Sequence, residues 1–223
     1  MKPYYQDEYV TLYHGDCREV VPALGTFDLL LTDPPYGIGF KGKKTRYTKP
    51  KGGYLSGDSD IGPGVVRECL KVCDRGIVFS GVRLLHDYPK PQDIGCVYCP
   101  VGAGRGKWGF ACFNPILYYG KRPGSPVSPA SFSSCAIAEA NGHPCPKPIK
   151  WMTWCVEIGS RVGDTILDPF AGSGTTGVAA KLLNRKCTLI EMEEQYCEIA
   201  ARRLSQGVLP LFENGNGKEK TSC

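Results

Sequence analysis

Five short apolar runs bounded by turn residues constrain this chain more than any other feature: Phe27 to Thr32, Gly76 to Ser80, Pro115 to Tyr119, Thr165 to Asp168 and Cys187 to Met192. Short runs with an apolar centre between turn residues mark strands buried on both faces. Helical faces lie between and after them. Val65, Val66, Cys69, Leu70 and Cys73 form one, Val178, Ala179, Leu182 and Leu183 a second, and Tyr196, Ile199, Ala200 and Leu204 a third. Strands alternating with amphipathic helices predict an α/β domain around a mostly parallel sheet. At 223 residues the chain fills one core and is short for two, so residues 1–223 are expected to form a single domain. Two stretches interrupt the alternation and read as loops or insertions: residues 41–57, basic and glycine-containing, and residues 121–146, rich in Pro, Ser and Ala. Residues 212–223 are polar and read as a frayed tail.

The run Thr165 to Asp168 leads through Pro169-Phe170-Ala171 into Gly172-Ser173-Gly174-Thr175-Thr176-Gly177, then a helical pattern, then a run that passes through Glu191. Gly172, Gly174 and Gly177 spell GxGxxG, with an acid nineteen residues after the first glycine, which satisfies the dinucleotide pattern. In a dinucleotide turn, however, the first glycine comes directly off the strand so that the helix N-terminus receives a pyrophosphate. Here four residues led by Asp168 intervene. A carboxylate at that point repels a pyrophosphate and suits a cofactor with a cationic amino-acid end. S-adenosylmethionine has an ammonium, a sulfonium, a ribose diol for Glu191 and no phosphate. An NAD-dependent oxidoreductase, resting on GxGxxG alone, is the rival reading.

The first run ends in Thr32-Asp33-Pro34-Pro35-Tyr36-Gly37. In an open α/β sheet, ligands bind outside the carboxyl ends of the strands, so Asp33 and Asp168 are predicted to face one cleft although 135 residues separate them. An exocyclic amine on a nucleobase is a poor nucleophile because its lone pair is delocalised into the ring. Asp33 accepting one N–H and the Pro34 carbonyl accepting the other would hold the nitrogen and expose its lone pair to a methyl donor. Each proline fixes φ near about −65°, and Pro35 also biases Pro34 towards an extended conformation. The Pro34 carbonyl is thereby aimed at little entropic cost. Tyr36 would stack on a base turned out of its helix. A rigid turn leaving a strand is the other reading of these residues, and sequence physics leaves both open.

Taken in this order, the two motifs resemble those of DNA amino-methyltransferases of the permuted beta order, with Asp33-Pro34-Pro35-Tyr36 ahead of Asp168-Pro169-Phe170-Ala171-Gly172-Ser173-Gly174. "HGDCREVVPAL" (His14 to Leu24), "HPCPKP" (His143 to Pro148) and "EMEEQYCEIAARRL" extend the likeness over nearly the whole chain. The resemblance implies a Rossmann-like S-adenosylmethionine-dependent methyltransferase fold, with a seven-stranded, mostly parallel sheet, helices on both faces and one antiparallel strand. It implies that Asp168, Gly172, Ser173 and Gly174 hold the methionine end of S-adenosylmethionine and that Glu191 binds the ribose. Asp16 would meet the adenine edge, Lys147 the neighbourhood of the carboxylate, and Phe170 would line the pocket. A leading Asp is more typical of N6-adenine methylation, whereas Ser is more typical of N4-cytosine. RNA or protein-amide methylation is a more distant alternative, as is a binding module that has lost activity. Target recognition in such proteins lies between the two motifs. Here that slot, residues 121–142, is short and poor in the Arg, Asn and Gln suited to base edges.

The net charge of +5 is concentrated in one place: Lys41, Lys43, Lys44, Arg46, Lys49 and Lys51 lie in a stretch with no acid, and without them the chain carries −1. With Tyr47 inside it and Tyr54 just after, the stretch suits phosphate contact and base stacking on double-stranded DNA. A solvated loop is the alternative. The N-terminus lacks an apolar signal core, and no run approaches the roughly 18 residues of a membrane span. A cytoplasmic protein without a membrane partner is expected. Twelve cysteines in such a chain read as reduced thiols. Cys96 and Cys99 form the only CxxC, and with no second pair downstream they read as ordinary strand cysteines, with no metal site expected. A homodimer and a restriction partner are both compatible with the resemblance.

Overall fold

Leu29, Leu30 and Leu31, the centre of the first apolar run, are fully buried, as a strand covered on both faces requires. The computed structural model describes residues 1–36, 61–100, 105–106, 109–124, 129–136, 139, 141–143 and 146–206. The chain opens with β1 (Tyr5–Gln6), β2 (Val10–His14), α1 (Cys17–Val20) and a 3-10 turn, Val21–Ala23. There follow β3 (Phe27–Thr32), α2 (Ile61–Cys69), β4 (Cys73–Phe79), β5 (Asp93–Tyr98), β6 (Arg105–Gly106), β7 (Gly109–Phe110), β8 (Phe113–Tyr119) and β9 (Phe132–Ser133). The last part comprises α3 (Ile149–Gly159), β10 (Thr165–Asp168), α4 (Thr175–Leu182), β11 (Lys186–Glu191) and α5 (Glu194–Ser205).

The main sheet runs β1-β2-β11-β10-β3-β4-β8-β5-β9, and β6 pairs with β7 in a separate ribbon. Nine strands replace the expected seven, because short segments at both ends of the sheet, β1 and β9, each pair through two residues. The strands between them number seven, and β8 alone among these runs against its neighbours β4 and β5. One face of the sheet, with Leu29 and Leu31, packs on Met152 and Val156 of α3, Ala179 of α4 and Ala200 and Leu204 of α5. The opposite face, with Leu30, Val78, Leu167 and Ile190, packs on Val20 of α1 and Val65, Val66 and Cys69 of α2. The domain is a three-layer α/β sandwich.

The helical face expected through Cys73 ends earlier. The amide of Lys71 turns back to the Glu68 carbonyl and that of Val72 to the Cys69 carbonyl, and Cys73 is captured as the parallel partner of Phe27. Pairing with β3 outweighs one more helical turn. The described part of the 121–142 slot is joined to the domain: Phe132 and Ser133 extend the sheet edge, the Phe132 ring stacks on Trp154 at 5.1 Å, and the Tyr118 hydroxyl donates to the Ala130 carbonyl at 2.6 Å.

Candidate active site

The carboxyl ends of β2, β11, β10 and β3 lie side by side in the sheet, and each carries or leads into an acid. In sheet order these are Asp16, Glu191, Asp168 and Asp33. Backbone bonds tie the row together: the Gly15 amide donates to the Glu191 carbonyl at 2.9 Å, and the Ala171 amide to the Ile190 carbonyl at 2.9 Å. The Thr32 hydroxyl, from the end of β3, donates to Asp168 Oδ1 at 2.7 Å. The two motifs thus touch through Thr32 and Asp168 at adjacent strand ends. The row spans three strand spacings, roughly 15 Å.

Asp168 is 2% exposed and lies beneath the glycine-rich turn. Its Oδ1 also accepts from the Phe170 amide at 3.1 Å, and Oδ2 accepts from the Thr176 hydroxyl at 2.5 Å. Burial pushes this carboxyl up to about 6, against the pull of these donors. Gly172 and Gly174 take φ +52 and +76, the left-handed region that glycine alone enters freely. A Cβ on Gly172 would meet His143 Nε2 at 3.0 Å, and one on Gly174 would meet Ala200 Cβ at 2.9 Å. Glu191 braces the same turn, accepting from the Gly172 amide at 2.7 Å and the Glu193 amide at 2.9 Å, and burial raises its carboxyl. Asp16 caps α1 and binds Arg18, whose guanidinium holds the carboxyl below its ordinary range. Phe170 is half-buried on the α1 and α2 face.

Sequence reasoning passed over several of the residues that hold this turn. Arg203 of α5 donates to the Ser173 carbonyl at 2.6 Å and to Thr175 Oγ1 at 3.1 Å, and pairs with Glu139 at 3.4 Å. Asn141 Nδ2 donates to Ser173 Oγ at 3.0 Å, and the His143 ring packs edge-on against Tyr196 with centroids 4.6 Å apart. Asn141 and His143 thus lie against the turn.

At the other end of the row, Asp33 is bound within its own motif. The Tyr36 hydroxyl donates to Asp33 Oδ1 at 2.5 Å. Lys147 Nζ donates to Asp33 Oδ2 in a short ion pair and to the Tyr36 hydroxyl at 3.1 Å. The ammonium lies 5.2 Å from the Tyr36 ring centroid, so it sits off the hydroxyl end of the ring and the contact is a hydrogen bond. Lys147, expected near a cofactor carboxylate, is therefore placed on the Asp33-Tyr36 pair. Among the described residues no donor reaches the Pro34 carbonyl.

Two glycines seat this motif, and neither was singled out from the sequence. Gly81, with φ +60 just beyond β4, lies against the Tyr36 ring, where a Cβ would stand 2.7 Å from Cγ and 2.8 Å from Cδ1. Gly62 in α2 lets that helix approach the prolines, since a Cβ there would meet Pro34 Cβ at 3.0 Å and the Pro35 carbonyl oxygen at 3.3 Å. Lys41, Lys43, Lys44, Arg46, Lys49 and Lys51 lie outside the described residues. Cys96 is half-buried, whereas Cys99 is buried and continues the ladder by donating its amide to Cys112. All ten cysteines among the described residues are free, and no group of three metal-ligating side chains occurs there.

The sequence profile of a family described as DNA methylase matches residues 103–202. The matched stretch contains the glycine-rich turn and Glu191, while Asp33 to Tyr36 precede it. Type II methyltransferase M2.LlaDCHI of Lactococcus lactis subsp. cremoris is 46% identical over 68 residues, which are 30% of this chain and 25% of that protein. The chain thus aligns with about a quarter of that curated relative. The solved M1.HpyAVI-SAM complex superimposes with a TM-score of 0.68 at 20% identity, covering 88% of this chain and 99% of the other. PvuII DNA methyltransferase, described as cytosine-N4-specific, gives 0.67 at 17% identity over 94% and 91%. The methyltransferase fold expected from the sequence is the fold observed, and the expected likeness to DNA amino-methyltransferases holds.

The residues present fit a sulfonium nucleoside. The strand-end row offers anionic acceptors to an ammonium and a ribose diol over a length suited to one nucleoside with an amino-acid tail. The glycine turn leaves backbone where a Cβ would intrude.

Proposed function

We propose that this protein transfers a methyl group from S-adenosylmethionine to the N6 amine of adenine in double-stranded DNA. The observation that carries the reading is the Thr32–Asp168 hydrogen bond of 2.7 Å, which puts the Asp33-Pro34-Pro35-Tyr36 motif beside the glycine-rich turn. S-adenosylmethionine, when bound, supplies an electrophilic methyl on its sulfonium. Asp16, Glu191 and the turn Gly172-Ser173-Gly174 would hold its adenine, ribose and amino-acid parts in sheet order, with the Asp168 charge beneath the last and Phe170 beside it. Asp33 would accept one N–H of the target amine and the Pro34 carbonyl the other, localising the lone pair that forms the new N–C bond. As that bond forms and the S–C bond breaks, the amine proton leaves through Asp33 or water. Tyr36, fixed from behind by Gly81, offers its ring to a base turned out of the duplex. Positioning and electrostatics supply the acceleration.

The stretch Lys41 to Lys51 is the proposed phosphate contact, supported by its concentration of the chain's positive charge. A cytoplasmic location is part of this reading, and no helix among the described residues is long and apolar enough to cross a membrane. The Type II relative supports a role beside a restriction enzyme. A homodimer is compatible with this reading. The leading aspartate favours adenine, while the likeness to the PvuII enzyme keeps N4 of cytosine as the second reading.

The deciding experiment is label transfer from S-adenosylmethionine to unmethylated DNA, with digestion to nucleosides and mass spectrometry. N6-methyladenine is the expected product, and N4-methylcytosine would keep the chemistry and change the base. No labelled nucleoside would sink the proposal. In the same assay, Asp33→Ala should lower the rate at least about a hundredfold, as loss of a positioned polar group does, while S-adenosylhomocysteine still binds.

A further inference from the structure

Both oxygens of Asp33 accept a hydrogen bond from within the chain, Oδ1 from Tyr36 and Oδ2 from Lys147. The Lys147 ammonium, a nitrogen that carries protons, thus occupies an acceptor on which the proposed chemistry needs the target amine. The pair is largely withdrawn from solvent, with side-chain exposures of 14% for Lys147 and 23% for Asp33. Separating two such charges costs free energy unless the cation finds another anion.

Lys147 also belongs to the stretch of chain that touches the glycine-rich turn, through Asn141 on Ser173 and His143 over Gly172. Asp33 and Asp168 end neighbouring strands, and the charge of Asp33 is felt at Asp168. The ammonium is thus held at the target's acceptor by a segment whose Asn141 and His143 touch the turn assigned to the amino-acid end of the donor. The other cations at the row are engaged, Arg18 on Asp16 and Arg203 on Ser173, Thr175 and Glu139.

We propose that Lys147 exchanges partners, neutralising Asp33 in the ligand-free protein and moving to the carboxylate of a bound sulfonium amino-acid nucleoside, so that loading the donor frees Asp33 for the target amine. The inference rests on the donor reading given above. Lys147 is a positioning residue in this scheme: it decides when Asp33 can accept. No covalent step is involved. The cost of breaking the Lys147–Asp33 pair is charged against donor affinity, and by linkage a donor that has drawn Lys147 away favours entry of the target.

The test is calorimetric titration of the full chain and its Asp33→Asn, Lys147→Met and doubly substituted variants with two probes. S-adenosylhomocysteine carries the amino-acid tail, and 5′-methylthioadenosine has the same nucleoside without it. Asp33→Asn should tighten S-adenosylhomocysteine about tenfold, within the usual range for coupled sites. The gain should vanish in the Lys147→Met background, and 5′-methylthioadenosine should bind all four proteins alike. That last result also shows that the nucleoside pocket is intact in each variant. An unchanged affinity in Asp33→Asn, or a gain that persists without Lys147, overturns the exchange and leaves the donor reading standing. If neither nucleoside binds any of the four, the donor reading falls and the exchange falls with it.

Discussion

Gly81 shows how much a single atom decides at this site. Its backbone fills the space behind Tyr36, and its φ of +60 lies where a side chain is strained. Gly81→Ala should displace the ring and lower methyl transfer at least about tenfold, with a stability loss of only about 1 to 2 kcal/mol. Steady-state rates and denaturation midpoints measured on the same preparation check both halves. Asp168 gives a second test at this scale. Its carboxyl titrates near about 6 in the fold, against about 3.9 in an unfolded chain. The folded state holds this proton more tightly, so the associated stability is fully present below about pH 4 and is lost as pH rises through about 6. The loss is on the order of 2 to 3 kcal/mol. Asp168→Asn should remove that component, so the stability difference between the two proteins should change by this amount between about pH 4 and 7 in denaturant titrations. A constant difference would mean that Asp168 does not titrate in this window.

At the scale of elements, the glycine turn depends on the helix behind it. Gly174 precedes α4 at φ +76 and touches Ala200 of α5, so Gly174→Ala adds both backbone strain and a clash. It should destabilise the protein by about 1 to 3 kcal/mol and weaken S-adenosylhomocysteine binding. Thermal unfolding and calorimetry would report the two effects, and unaltered binding would detach the turn from the donor site. What the sequence shows at this scale follows from local pattern. β10 begins and ends where the apolar run does, and β3 likewise, because Ile166-Leu167 and Leu29-Leu30-Leu31 form apolar centres between turn residues. β2, with Val10 and Leu12 buried and Thr11 between them partly covered, was hidden by its alternation in a polar N-terminal stretch. α3 was missed as well. Its Trp, Thr and Val residues are weak helix formers, its N-cap is a proline without a side-chain bond, and packing of Trp151, Met152, Cys155 and Val156 makes it helical.

For the whole molecule, the motif acids were legible because strand ends of an α/β sheet converge by topology, and composition tells which ends carry chemistry. Lys147 on Asp33, Asn141 on Ser173 and Gly81 against Tyr36 were not, since each depends on an approach between segments distant in sequence. Charge placement supplies the prediction at this scale. Replacing Lys41, Lys43, Lys44, Arg46, Lys49 and Lys51 by Gln should weaken DNA binding on all sequences alike and flatten its dependence on salt. Fluorescence anisotropy over a salt series tests this, and a loss confined to one sequence would make the segment a reader of bases. The strand order carries one more consequence. β11, the last strand in sequence among the described residues, inserts between β2 and β10. A nascent chain still lacking residue 191 leaves β2 without its parallel neighbour and the row of acids broken at its middle. Folding must therefore wait for contacts of high sequence separation, which slows it, and the four acids come into one row only when β11 has taken its place between strands that precede it in the chain.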